Sequence, residues 1–277
     1  MRFLPIFWAL IFVGCGDDSG PQTPPIEQWC DLDRPRKDCE ANHIIVNNGW
    51  EEAKALCETP CTRIRTGIIN NGDAEIIKAF GGFEEFGSLE IRNADDSLKD
   101  LTELSSVRHA DNVVISDNQG LKSLKGLENL VEVAPPADSG LELNGDYEIQ
   151  ISDNPKLKSV AGLSGLKTVG RLNIYNNKSL ETIDGINALT RGNIDVSDNF
   201  GLKRISGFDG LKTNGAISLI GNIKLTTIDA FQNMTELVYM QAIRNYALDE
   251  CQIQRILDQL DEPPRTLDMS KNGKTCR

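Results

Sequence analysis

The sequence predicts a mainly β protein whose strands pair in parallel along a solenoid of short repeats, closed by short capping helices. Three observations carry that expectation. The pattern L-x-I-x-x-N-x-x-L recurs with its Asn at 118, 154, 177, 199, 222 and 245. Ahead of each Asn, apolar and polar residues alternate, the period of a strand buried on one face. One copy of 22–23 residues has more inward-pointing Leu and Ile than it can bury alone, so copies must stack.

The chain of 277 residues starts MRFLPIFWALIFVGCG. One Arg precedes an apolar run from Phe3 to Val13, which is too short to span a bilayer and is laid out as a signal peptide. The residues FVGC resemble a bacterial lipobox, in which the Cys is lipidated and becomes the first mature residue. Residues 1–14 are therefore read as a lipoprotein signal peptide and Cys15 as the lipidation site. Gly16, not Asp, follows Cys15. By resemblance to Gram-negative sorting rules, that points to the outer membrane or cell surface. Residues 15–28 are rich in Pro, Asp and Gly and read as a flexible tether. The N-terminal lipid is the expected membrane contact. A formal net charge of -12 leaves no basic surface for nucleic acid.

Residues 29–66 read as a Cys-containing cap. In NNGWEEAKALCE, Asn48 with Glu51 three residues on forms a capping box for a short helix. Seven cysteines less Cys15 leave six: Cys30, Cys39, Cys57, Cys61, Cys251 and Cys276. An even number in an exported chain implies three disulfides. Cys251 and Cys276 stand alone near the C-terminus and pair. The other four allow three connectivities, of which the close pairs Cys30–Cys39 and Cys57–Cys61 are favoured. Zinc is the competing use of these thiols, but His43 and His109 are the only histidines and no CxxC spacing occurs. No metal and no cofactor is expected.

The repeat occupies residues 67–248. The last four Asn intervals are 23, 22, 23 and 23 residues. The 36 residues from Asn118 to Asn154 amount to one repeat plus an insertion around APPADSGLELNG, at 134–146. Two earlier copies, LEIRNADDSL and GIINNGDAEII, are degenerate, as terminal units commonly are, and Asn93 is only approximately in phase. In RLNIYNN, Leu172 and Ile174 point inward while Asn173 and Tyr175 face solvent. Leu180, Ile183 and Ile186 then point inward from the other sides of the unit. The Asn residues form a structural ladder. Where the strand ends the chain bends, and the bend turns backbone groups toward the interior. Leaving one such group unpaired costs about 1–3 kcal/mol. An Asn amide supplies donors and an acceptor, whereas Asp lacks the donors and would stack like charges about 4.8 Å apart.

Residues 249–277 close the stack. Asp249 as N-cap, with Gln252 in the capping-box place, starts a helix whose Ile253, Ile256, Leu257 and Leu260 form one apolar stripe over the last repeat. Pro263 and Pro264 stop that helix. TLDMS adds a final strand. Cys251–Cys276 closes a loop of about 25 residues, contributing about 3 kcal/mol.

The phrase I-x-x-N-x-x-L-x-x-[LIV]-x-G-[LIF] resembles the receptor L-domain family of leucine-rich-repeat-like solenoids, over about residues 57–277. That family includes the ligand-binding ectodomain lobes of insulin and epidermal growth factor receptors, and many bacterial surface lipoproteins. The resemblance implies a right-handed solenoid with a parallel sheet on a broad face, a binding or adhesive role and no catalysis. The insertion and the irregular first two units depart from the family pattern, so no family ligand surface is carried over.

The sequence holds no catalytic constellation. Its histidines are isolated, and there is no GxSxG, HExxH, P-loop or dinucleotide fingerprint. Asp117, Asp153 and Asp198, each before a ladder Asn, read as solvated turn residues. The tight Gly-Asp nonapeptides of calcium-binding solenoids are absent. The sequons at Asn177 and Asn233 are incidental in a bacterial lipoprotein. The candidate binding face is the outward row of the main strands: Asn173, Tyr175, Asp195, Ser218, Ile220, Gln241 and Ile243. Gln150, Ser152 and Ser197 belong to the same face. Tyr175, Ile220 and Ile243 share the position before the turn, where aligned apolar residues mark a contact patch, although exposed β-propensity also explains them. The 134–146 insertion is the second candidate, since long insertions on rigid scaffolds carry recognition. The expected function is a lipid-anchored, non-catalytic envelope protein that binds a protein or glycan ligand. A structural or cell-contact spacer is the alternative.

Overall fold

The computed structural model describes residues 24–28, 30–31, 37–47, 50–135 and 140–276. The signal peptide at 1–14, Cys15, the tether as far as residue 23, and Asn48 lie outside the described residues. No helix among the described residues is long and apolar enough to cross a membrane.

The chain runs β1 (Lys37–Val46), α1 (Trp50–Glu58), β2 (Cys61–Asn70), α2 (Ala74–Lys78), β3 (Glu85–Arg92), β4 (His109–Ser116), β5 (Glu132–Val133) and β6 (Glu148–Ser152). It continues with β7 (Thr168–Tyr175), β8 (Thr182–Ile183), β9 (Arg191–Ser197), β10 (Arg204–Gly207), β11 (Thr213–Ile220), β12 (Thr227–Ala230) and β13 (Glu236–Ile243). Helix α3 (Cys251–Asp258) and β14 (Thr266–Ser270), the strand expected from TLDMS, complete it. The protein is mainly β. Eleven strands form one long parallel sheet, with β5 and β6 sharing a single place between β4 and β7. A smaller parallel sheet joins β8, β10 and β12. Strand β1 falls inside the segment read as a cap, yet it pairs with β2 in the main sheet.

Register explains why these strands hold. Ile151, Ile174, Val196, Leu219 and Ala242 align across successive strands, and all are fully buried. A slip of one residue would send this row to solvent. On the smaller sheet Ile183, Ile205 and Ile228 align in the same way. Phe208 stacks on Phe231 with ring centroids 5.3 Å apart. At the other end Phe80, Phe83 and Phe86 cluster. Asp73 caps α2 there by accepting from the N–H groups of Glu75 and Ile76.

The expected ladder is present, and every rung is fully buried from Asn118 to Asn245. The Oδ1 of Asn177 accepts the backbone N–H of Asn154 at 3.1 Å, and its Nδ2 donates to the Ile151 carbonyl at 2.9 Å. Asn199 repeats this with Asn177 and Ile174, and Asn222 with Asn199 and Val196. Asn272 adds a further rung: it accepts the Asn245 N–H at 3.2 Å and donates to the Ala242 carbonyl at 2.8 Å. In the degenerate units, Ala94 rather than Asn93 occupies the rung position, and its N–H donates to the Asn118 Oδ1. The residue ahead of each rung takes a left-handed backbone: Asn93, Asp117, Asp153, Asn176, Asp198, Gly221, Arg244 and Lys271. Asn, Asp and Gly tolerate that conformation best, which accounts for the recurrent Asp, although Arg244 and Lys271 adopt it too.

Three expectations are corrected. Pro24–Gln28 is not free tether: Ile26 is fully buried and its N–H donates to Glu75 Oε2 at 3.0 Å. The N-terminal disulfides are Cys30–Cys57 and Cys39–Cys61, not Cys30–Cys39 and Cys57–Cys61. Parallel pairing of β1 with β2 brings Cys39 beside Cys61 at a Cα separation of 4.8 Å, and Cys57 on α1 meets Cys30. At the start of α1, Glu52 accepts the Asn47 N–H at 2.6 Å, and the expected cap Asn48 lies outside the described residues. At the start of α3 the N-cap is Glu250 rather than Asp249, which accepts only the Cys251 N–H, and Gln252 makes no capping box. Its side chain instead pairs with the edge of β12, accepting from Ile228 and donating to Thr226. The Cys251–Cys276 pair forms as expected.

Candidate functional site

The outward face of the main sheet departs from strict alternation along one line. Between the inward residues Phe86 and Leu89 stand two residues, Gly87 and Ser88, where alternation allows one. The same doubling occurs at Asp111–Asn112, Gly170–Arg171, Gly215–Ala216 and Val238–Tyr239. The two-residue step forms a bulge line across the sheet, interrupted at β9, which has one residue fewer, so that the register shifts between β7 and β9.

The insertion enters on this line. Val133 pairs with Val169 and Glu148 with Arg171, so the residues between β5 and β6 leave the sheet opposite Gly170. The loop returns tightly, with the Tyr147 carbonyl accepting the Arg171 N–H at 3.0 Å. A methyl group on Gly170 would collide with the carbonyl oxygens of Asn144 and Tyr147, so only glycine fits beneath the loop.

Beyond the loop the bulge line holds three consecutive glycines, Gly170, Gly192 and Gly215, before Val238. Without side chains they leave an open cleft of about 420 Å³. Leu143 of the insertion stands at one end and Val238, half exposed, at the other. Arg191, Thr213 and Glu236 form one wall, and Asn193 stands in the opposite one. The cleft runs across the strands, which lie about 4.8 Å apart.

The residues expected on the binding face lie on this side of the sheet in two rows, but Ser218 and Ser152 are buried between their cross-strand neighbours and offer no contact surface. Asn173, Asp195, Ser218 and Gln241 are in register, and so are Tyr175, Ser197, Ile220 and Ile243. Ser197 thus separates Tyr175 from the apolar pair, and all three apolar residues are half-buried rather than open. Gln150 and Ser152 extend the two rows onto β6. Asn173 donates to Glu148 Oε1 at 3.1 Å. Asp195 keeps a buried Oδ1 that has no hydrogen-bond partner in the protein. Burial pushes its carboxyl above the usual range, partly opposed by a hydrogen bond from Ser197 and the charge of Arg171.

No family model, curated protein or solved structure matches this chain significantly. The site therefore rests on its geometry. No group of three or more His, Cys, Asp or Glu side chains among the described residues is arranged to hold a metal ion.

Two features escaped the sequence reading. The glycine line is written at a fixed place before the inward pair, in GRLNI, GNIDV and GAISL, and its period of 22–23 residues was available. The second feature is a ridge of exposed apolar side chains. Phe200, Ile223 and Tyr246 each follow a ladder Asn and are 42%, 39% and 57% exposed. The same one-residue offset from the rungs identifies them.

Proposed function

We propose that the protein is a non-catalytic binding module of the cell envelope, held by a lipid on Cys15 and directed to the outer membrane or cell surface. In this reading the repeats wind as a right-handed parallel β-solenoid of receptor L-domain type, and the ligand is a protein or glycan. The carrying observation is that the insertion enters the sheet at the bulge line and borders a glycine-floored cleft, on the face that also holds the Asn173 and Tyr175 rows. A scaffold held by a buried ladder leaves such a face free to vary without loss of fold.

The test is capture of envelope components by the purified full-length protein. Specific retention that is lost with Gly215→Trp, or with Tyr175→Ala, Ile220→Ala and Ile243→Ala together, supports the module. Absence of any retained component supports a spacer instead. Release of a Cys15→Ala variant from cells into the medium supports the anchor, and unchanged membrane retention rejects it.

A further inference from the structure

We infer that the glycine-floored cleft takes a neutral oligosaccharide, lying along the bulge line and across the strands. This rests on the binding reading above and names its ligand class. Beside Gly170, which lies under the loop, the floor at Gly192 and Gly215 presents backbone without side chains, so a flat ring can approach closely. The walls mix donors and acceptors. Arg191 donates, Glu236 accepts, and Thr213 and Asn193 do both. A hydroxyl also donates and accepts, so a polyol matches every member of this set. Arg191 and Glu236 carry opposite charges and cancel at the site, which disfavours a strongly anionic or cationic ligand. Leu143 and Val238 offer short apolar surface at the two ends, suited to the C–H face of a sugar ring.

An extended peptide is the weaker match. Such a ligand pairs along a free strand edge, whereas this cleft crosses strands already paired on both sides.

The experiment titrates the purified full-length protein with neutral tetrasaccharides of glucose, mannose, galactose and N-acetylglucosamine, by calorimetry and saturation-transfer NMR. At least one should bind, and Gly215→Trp should weaken it by about tenfold or more. The Gly215 position is exposed, and an added side chain meets only the Asn193 Oδ1, at 2.7 Å, so the fold should persist. Thr213→Trp, on the wall, serves as the second blocking variant, and Lys122→Ala, exposed and outside the cleft lining, should leave saccharide binding unchanged. The assignment is overturned if no tetrasaccharide binds at millimolar concentration. It is equally overturned if binding survives both blocking variants while their urea midpoints match the parent. A protein partner that is lost with Ile220→Ala and Ile243→Ala but kept by Gly215→Trp would overturn the saccharide assignment and leave the binding module standing.

Discussion

The Oδ1 of Asn199 accepts two hydrogen bonds from Asn177, from its backbone N–H at 3.0 Å and from its Nδ2 at 3.4 Å. Asn199 in turn donates to the carbonyls of Ile174 at 2.8 Å and Ser197 at 3.1 Å. Asn199→Asp keeps the shape and the acceptor but removes both donations. The Ser197 carbonyl keeps the Asn176 N–H, but the Ile174 carbonyl loses its side-chain donor, which implies a loss of about 1–3 kcal/mol at neutral pH, read from urea denaturation. Burial would also raise the new carboxyl's folded pKa above its unfolded value of about 3.9. That added penalty is absent below the unfolded value and grows as pH rises toward the folded one. Asn272→Asp, at the partly exposed last rung, should cost less, and a loss there as large as that of Asn199→Asp would show that burial does not set the cost.

Asp195 provides a second pH test, in the native chain. Its folded pKa is raised by burial, so its contribution to stability is fully present below the usual carboxylate value of 3.8 and is lost as pH rises through the raised value. Asp195→Asn should therefore stabilise the protein at pH 7 relative to the parent. The gain should vanish at acid pH, where the parent carboxyl is neutral. An equal effect at both pH values would mean that the charge is not the source.

The glycines of the cleft should separate by what lies above them. Gly170→Ala drives a methyl group into the carbonyls of Asn144 and Tyr147, and overpacking of that kind costs about 1–3 kcal/mol. Gly215→Ala meets only the end of the Asn193 side chain and should stay within about 0.5 kcal/mol of the parent. Thermal melts of the two variants, side by side, measure the difference.

Proteolytic mapping of the unreduced protein should yield one linked peptide pair containing Cys30 with Cys57, and another containing Cys39 with Cys61. Recovery of Cys30 linked to Cys39 would contradict the packing of β1 on β2. Replacing Cys251 and Cys276 by Ser opens a loop with a sequence separation of 25 residues and should cost about 3 kcal/mol.

The scaffold was legible wherever one position dictates one chemistry. Leu172, Ile174 and Asn177 could be placed from the repeat alone, because period two and a buried bend leave few choices. What escaped depends on partners distant in sequence. Gln252 has the spacing of a capping box, yet the free edge of β12 offers it a peptide group to pair with on each side. The four N-terminal cysteines are close in sequence in one pairing and close in space in another, and only the pairing of β1 with β2 decides. The bulge line was hidden because most strands share the extra residue and keep a 23-residue repeat, and its absence from β9 shows only as one interval of 22. The expected apolar patch at Tyr175, Ile220 and Ile243 was placed correctly on its strands, but cross-strand neighbours half cover it.

The ladder also makes the length of this molecule a count rather than a continuous quantity. Each rung answers to the rung before it through the same few atoms, whichever residues stand between. Asn222 serves Asn199 from 23 positions away as Asn199 serves Asn177 from 22. A segment from one rung to the next is thus a complete word of the chain. It can be dropped or copied whole without changing what its neighbours must say to each other, whereas cutting inside it leaves both sides unanswered.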